Sequence, residues 1–298
     1  PSMLFSSHMK KTPHQAWQDS KGIVGNSANS GNSGNPGQNE KPAPYEKMVP
    51  AVMASDFADA EEKITRVSGL VKWVQIDTMD SKFTDSIAWP YQRTKSGHLE
   101  FDEDFMSIVN EERGLPCWEE FDFEVDLMVA DPVTAAERWA SAGATRVIFH
   151  IHSDAATADK PASDNIEKIR AAIDVAVSRG LQVSVAVLPQ ALPLAPAIAD
   201  FIWEVAPKLS GIQCMGIDHI GHQHEKFDPV VIDMVRMFRK EIDARGLPLE
   251  ISVDGGVSFD TAGKLFEAGA SYLVAGSAVY DADSVIQALD RFAEISGE

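Results

Sequence analysis

The sequence predicts an α/β fold of the closed (β/α)8, or TIM-barrel, type, and three observations carry that expectation. From residue 48 onward short β-rich runs alternate with helical patterns. Eight such runs occupy about 250 residues, more strands than an open doubly wound sheet usually has. The runs read as continuously apolar rather than alternating, as parallel strands covered on both faces require.

In chain order the strands are read at "VPAVM", "WVQID", "FEVDLMV", "RVIFHI", "QVSVAVL", "GIQCMGI", "LEISVDG" and "SYLVAGS", each followed by a helical pattern. Helix punctuation agrees. In "DPVTAAERWASAGAT" Asp131 can cap, Pro132 takes the first helical position and Gly143 can close the helix in a left-handed conformation. "SFDTAGKLFEAGAS" repeats the design with Ser258 and Gly269. One connection breaks the rhythm: Ser81 to Asp122 is far longer than a loop plus one helix. It holds Trp89, Tyr91 and an acidic "EFDED". A helix is predicted over Asp104–Arg113, and the part before it is expected either to cover the barrel mouth or to be a surface excursion.

Ahead of the barrel, "GNSANSGNSGNPGQ" (Gly25–Gln38) is almost wholly Gly, Asn and Ser, which cannot bury enough apolar surface to offset ordering entropy. The expected division is a flexible, disordered low-complexity extension over residues 1–47 and a catalytic barrel domain over 48–298.

The 298 residues are 44% apolar, enough for a large core. Twenty-six basic residues against 45 acidic ones leave a net charge of -19, which repels a phosphate backbone and argues against a nucleic-acid partner. Cys117 and Cys214 alone give no disulfide framework, so a reducing compartment is expected. No apolar run approaches the roughly 20 residues of a membrane span, and no secretory leader pattern is seen. The expectation is a cytoplasmic protein with no membrane partner.

In such a barrel the chemistry lies at the C-terminal ends of the strands. The polar residues there are Gln75, Asp77 and Asp80 on the second strand, Asp126 on the third, His150 and His152 on the fourth, Asp218 and His219 on the sixth, and Asp254 on the seventh. Asp77 and Asp254 stand across the barrel axis, so their carboxylates can reach one molecule from two faces. The plainer reading of a strand-end carboxylate is a cap for the next helix, and Asp80 suits it best. Gly255, Gly256, Gly276 and Ser277, after strands seven and eight, are where this architecture often holds phosphate; tight turns are the alternative. A fixed phosphate would explain how an acidic protein holds an acidic substrate.

At "PAVMASDF", "VQIDTMDSKF", "EVDLMVADP", "ISVDGGVS" and "LVAGSAVY", from about Val49 to Leu289, the chain resembles the ribulose-phosphate 3-epimerase family; "IDTMD" and "VDGG" are the specific stretches. The resemblance implies a barrel of the ribulose-phosphate-binding type and an isomerase that epimerises a ketose phosphate at C3, D-ribulose 5-phosphate to D-xylulose 5-phosphate, through an enediolate. It implies that Asp77 and Asp254 are the acid–base pair and also bind a divalent metal. A proton beside a carbonyl is too weakly acidic for an unaided carboxylate, so the enediolate needs a cation or aimed donors. Met79, Met128 and Met215 match positions where the family puts methionine around the reacting carbon, where a polarizable apolar group excludes water; core packing is the alternative.

The sequence also departs from the family. Its two metal-binding histidines align with Gln75 and Asp126, leaving Gln75, Asp77, Asp126 and Asp254 as the candidate metal set. All-oxygen ligands favour Mg2+ or Mn2+ over Zn2+; the alternative is that no metal binds. His150 could substitute or be structural. After strand six the family's "NPG" turn is replaced by "GIDHIGHQHEKF", which keeps Gly221, Lys226 and Phe227 and adds His219, His222 and His224 as candidate metal or phosphate contacts, or simply as a polar loop. Leu188 stands where the family is polar. The expected partner is a small phosphorylated sugar, and the resemblance implies a homo-oligomer. Two other readings stay open: an epimerase for a different ketose phosphate, and a non-catalytic barrel that binds a phosphometabolite.

Overall fold

A computed structural model describes residues 45–151 and 162–298. The extension expected over 1–47 lies outside the described residues apart from its last three, as does His152.

The strands are β1 (Met48–Met53), β2 (Trp73–Met79), a short hairpin of β3 (Tyr91–Arg93) and β4 (Leu99–Phe101), then β5 (Asp122–Met128), β6 (Arg146–Ile151), β7 (Gln182–Val187), β8 (Gly211–Met215), β9 (Glu250–Asp254) and β10 (Tyr272–Ala275). Eight of them form a closed barrel in the order β1-β10-β9-β8-β7-β6-β5-β2, all neighbours parallel, while β3 pairs only with β4. The helices are α1 (Phe57–Thr65), α2 (Glu103–Val109), α3 (Pro132–Ala142), α4 (Ala162–Ser178), α5 (Pro196–Val205), α6 (Val230–Arg245), α7 (Phe259–Ala268), α8 (Ser277–Tyr280) and α9 (Val285–Ser296). The expected eight-stranded barrel is thus the observed one.

The caps form as the residues dictate. Asp131 accepts from Thr134 N at 3.2 Å and Gly143 closes α3 with φ 96°. Ser258 and Thr261 make a reciprocal capping box on α7, which ends at Gly269 with φ 111°. The apolar core lies between strands and helices, where Ile64, Trp139, Phe238 and Phe292 are fully buried.

Inside the barrel the picture differs from the sequence reading. The strands are not uniformly apolar: Gln75, Glu124, Asp126, Ser184, Gln213 and Ser252 are all buried polar residues. Successive side chains of a strand point to opposite faces, so alternate positions such as Glu124, Asp126 and Met128 share one face. At the N-terminal end Arg146, stacked 4.6 Å from the Trp73 ring, donates to Glu124 at 3.1 Å and to Glu250 at 2.9 Å. That network satisfies a charge which would otherwise be costly to bury.

The long second connection divides into two parts. Trp89 is buried edge-on against Phe57, Phe105 and Trp139, with ring centroids 5.6–5.9 Å apart, and fixes the hairpin and α2 to the flank of the barrel beside α1 and α3. The helix expected over Asp104–Arg113 starts one residue earlier, capped by Asp102, and stops at Val109. Only the stretch before it turns over the mouth: Asp80 bridges to Ile87, and the Phe83 ring lies 5.7 Å from that of His150.

Candidate active site

The barrel register brings three carboxylates to one end. Asp77 pairs with Asp126 across β2 and β5, and Asp254 pairs with Met215 across β9 and β8. In the ring, β2 and β9 are separated by β1 and β10, so Asp77 and Asp254 approach from different sides of the axis. One oxygen from each of Asp77, Asp126 and Asp254 lies within 4.8 Å of the others.

Gln75 joins two of them: its Nε2 donates to Asp77 Oδ1 and to Asp254 Oδ2, each at 2.8 Å. Asp126 is held separately. Its Oδ1 shares a hydrogen bond with His150 Nε2 at 2.5 Å, and its Oδ2 accepts from Gln213 at 3.3 Å. Gln213 in turn accepts from Ser252 at 3.3 Å.

Burial dominates the electrostatics. It pushes Asp77 up to about 7, helped by the neighbouring charge of Asp126 and opposed by the Gln75 amide. Burial likewise raises Asp126 to about 8 against the Gln213 hydrogen bond. Asp254 is raised well above the usual carboxylate range by burial and then by Asp77 and Asp126. The same burial pushes His150 down to about 4, against the pull of Asp254. Three like charges this close cannot all persist without a counter-charge, so the cluster holds either protons or a cation.

The donor set fits a hard divalent cation. Besides the three carboxylates, Gln75 Oε1 is buried without a hydrogen-bond partner. Rotation of the terminal amide would exchange it with Nε2 and offer a fourth oxygen beside Asp77 and Asp254. Oxygen-only ligation suits Mg2+ or Mn2+, whereas Zn2+ prefers nitrogen and sulfur.

The carboxylates form the floor of a cavity whose walls include Met53, Met128, Met215, Ile217 and Val257, with Gly255, Gly256, Gly276 and Ser277 at one side. Gly255 and Gly256 both have positive φ, 96° and 65°. Neither donates its N–H to a carbonyl or side chain among the described residues. Gly221, His222, Gln223, His224 and Glu225 also line it.

The model of the ribulose-phosphate 3 epimerase family matches residues 47–280. The chain belongs to this family. A ribulose-phosphate 3-epimerase of Synechocystis sp. is 29% identical over 244 residues, 81% of this chain and 90% of that protein. One of Mycobacterium tuberculosis is 28% identical over 236 residues, 79% and 86% of the two chains. Among solved structures, KGPDC from Streptococcus mutans superposes with a TM-score of 0.57 at 14% identity, covering 84% of this chain and 96% of that one. That likeness is one of fold.

Within this epimerase-family barrel the sequence-derived residues sort clearly. Gln75, Asp77, Asp126 and Asp254 come together, and Asp77, Asp126, Met128, Met215, Asp254, Gly255, Gly256, Gly276 and Ser277 line one cavity. Met79 is fully buried, packing with Met128 and Phe83 beneath the mouth. Asp80 is a local tether, accepting from Lys82 N, Phe83 N and Ala130 N at 2.8–3.1 Å. His150 joins the cluster through Asp126, whereas Asp218 and His219 are not among the cavity-lining residues. Several contributors escaped the sequence reading, among them Met53, Gln213, Gln223 and Glu225. Gln213, polar within "GIQCM" and two residues before Met215, carried a period-two signal; Glu225, in a loop, carried none. Among the described residues no helix is long and apolar enough to cross a membrane.

Proposed function

We propose that the barrel epimerises a ketose phosphate at the carbon next to its carbonyl, D-ribulose 5-phosphate to D-xylulose 5-phosphate, with Asp77 and Asp254 exchanging the proton on opposite faces. The supporting observation is the Gln75 amide bridging both carboxylates, 2.8 Å from each, at the floor of a cavity. An epimerisation needs one base and one acid of similar strength that swap roles with direction. Burial and mutual repulsion favour this: both carboxyls are raised above the usual carboxylate range, which favours one shared proton over two charges on the pair.

Asp77 removes the C3 proton from one face, and Asp254 returns a proton to the other. Gln75 keeps the two carboxyls in register. Met128 and Met215 place apolar sulfur beside the carbon and restrict water, which would reprotonate without regard to face. Gln75, Asp77, Asp126 and Asp254 would hold a divalent cation, Mg2+ or Mn2+, which supplies positive charge for the enediolate oxygens when bound. The N–H groups of Gly255 and Gly256, with Gly276 and Ser277 beside them, receive the phosphate.

The test is solvent deuterium incorporation at C3 of D-ribulose 5-phosphate. Asp77→Asn and Asp254→Asn are each expected to reduce it by about three orders of magnitude or more, beyond the usual contribution of a single positioned acid or base. Undiminished exchange in either variant removes the mechanism. Six-carbon ketose phosphates run beside the pentulose settle the sugar.

A further inference from the structure

The inference here rests on the epimerase reading and extends it to the side chains that hold the substrate's charged end. The cavity is lined by the acids Asp77, Asp126, Asp254 and Glu225 and, among the described residues, by no Lys or Arg. The whole chain carries a net charge of -19. A phosphate monoester brings between one and two further negative charges at neutral pH. Peptide N–H groups on Gly255 and Gly256 offer dipoles but no net positive charge, so the anion would meet a field of its own sign. His222 and His224 are the cavity-lining side chains able to carry positive charge.

Their placement fits that task. Both lie on the segment between Gly216 and Asp228, which is pinned by Gly216 N donating to Asp254 O at 2.6 Å and Asp228 N donating to Gly216 O at 2.8 Å. The segment sits directly on the glycine turn, since a Cβ at Gly256 would lie 2.9 Å from Phe227 Cα. His222 and His224 thus line the same cavity as the Gly255–Gly256 turn. Each ring has a carboxylate near it: His222 Nε2 lies 2.8 Å from Asp85 Oδ1, within hydrogen-bond reach, and His224 Nε2 lies 3.7 Å from Asp281 Oδ2, an exposed ion-pair distance. The His222 ring, bonded through Nε2, has Nδ1 left for a second partner.

We propose that His222 and His224 are phosphate-binding residues, holding the phosphate of the sugar at the Gly255–Gly256 turn and providing the cationic charge that the cavity's other side chains lack.

The probe is inorganic phosphate, titrated calorimetrically into the full chain, with KM and kcat for D-ribulose 5-phosphate measured on the same preparations. The double variant His222→Gln, His224→Gln is expected to bind inorganic phosphate about tenfold or more weakly, and its loss in turnover to appear chiefly as a raised KM. His224→Lys, which restores a charge but not the ring, is expected to stay within about threefold of wild type. Asp85→Asn with Asp281→Asn keeps both imidazoles and is expected to retain most of the phosphate affinity. Unchanged phosphate affinity in the double histidine variant overturns the proposal, as does a wild-type protein that binds no inorganic phosphate. A loss as large in the double aspartate variant, with His224→Lys no better than His224→Gln, also overturns it, because the rings then serve only to pin the loop. Histidine-dependent phosphate binding without any C3 exchange upholds this proposal while removing the epimerase reading.

Discussion

Replacing Gln75 by Met removes the amide that joins two carboxylates while keeping the side chain's length and approximate volume, so the change isolates two hydrogen bonds. Each bond, 2.8 Å long, favours the ionised carboxylate and opposes the burial that raises Asp77 to about 7 and Asp254 still more clearly. A hydrogen bond to a charged group contributes about 1.5–3 kcal/mol, or about one to two pKa units. In metal-free protein the sign follows from the protons bound. Between the ordinary carboxylate value and the raised folded value, the folded state holds a proton that the unfolded chain has released, so stability falls as pH rises. For Asp77 in the wild type that fall ends near pH 7, and in the variant it runs on by a further unit or so. Urea unfolding in the presence of a chelator, compared at about pH 5.5 and about pH 8.5, reads the difference. The wild type loses stability across the interval, and Gln75→Met loses about 1–3 kcal/mol more. Parallel pH dependences in two well-folded proteins would refute the reasoning, because the amide would then have no hold on the charge of the pair.

Other consequences are open to measurement. Mn2+ added to chelator-treated protein should raise the urea midpoint, by about 2.7 kcal/mol of stability at a hundredfold excess over its dissociation constant, and Asp126→Asn should blunt that gain; no shift in the wild type removes the cation site. Trp89→Ala empties a site packed by three aromatic rings and should cost about 3–5 kcal/mol in equilibrium unfolding. Gly256→Ala meets both a φ of 65° and Phe227 Cα at 2.9 Å, so it should displace the segment that carries His222 and His224. Faster amide exchange over residues 216–228 and a raised KM are the expected signs. Asp80→Asn weakens an acceptor shared by three backbone N–H groups and should lower stability by about 1–3 kcal/mol while leaving Asp77 and Asp254 in place.

Much of this architecture was legible because parallel barrel strands and their helices leave local marks: Asp131, Pro132 and Gly143 bound α3, and Ser258 and Gly269 bound α7, where the sequence put them. The β3–β4 hairpin was not legible, since three-residue strands leave no period to detect. The reading of the strands as continuously apolar missed Glu124, Ser184 and Gln213, which lie buried inside the barrel rather than at its rim. Asp77 and Asp254 were found as a pair because "IDTMD" and "VDGG" sit at strand ends. The partner of each was not. That Gln75 bridges the pair, and that His150 backs Asp126 instead of facing the cavity alone, depends on registers such as Asp77 with Asp126 that no single strand encodes.

The barrel closes where its first strand meets its last, and both ends of the described chain gather at that seam. Lys47 O accepts from Leu273 N, Glu298 accepts from the backbone N–H of Glu46 and Lys47, and the Tyr45 hydroxyl bonds to Asp290. The seam is at the floor of the molecule, a full strand length from the carboxylates. Tyr45, where the described chain begins, is therefore fixed on the face of the barrel opposite Asp77, Asp126 and Asp254, and a substitution that loosens this seam should cost stability without touching the carboxylates.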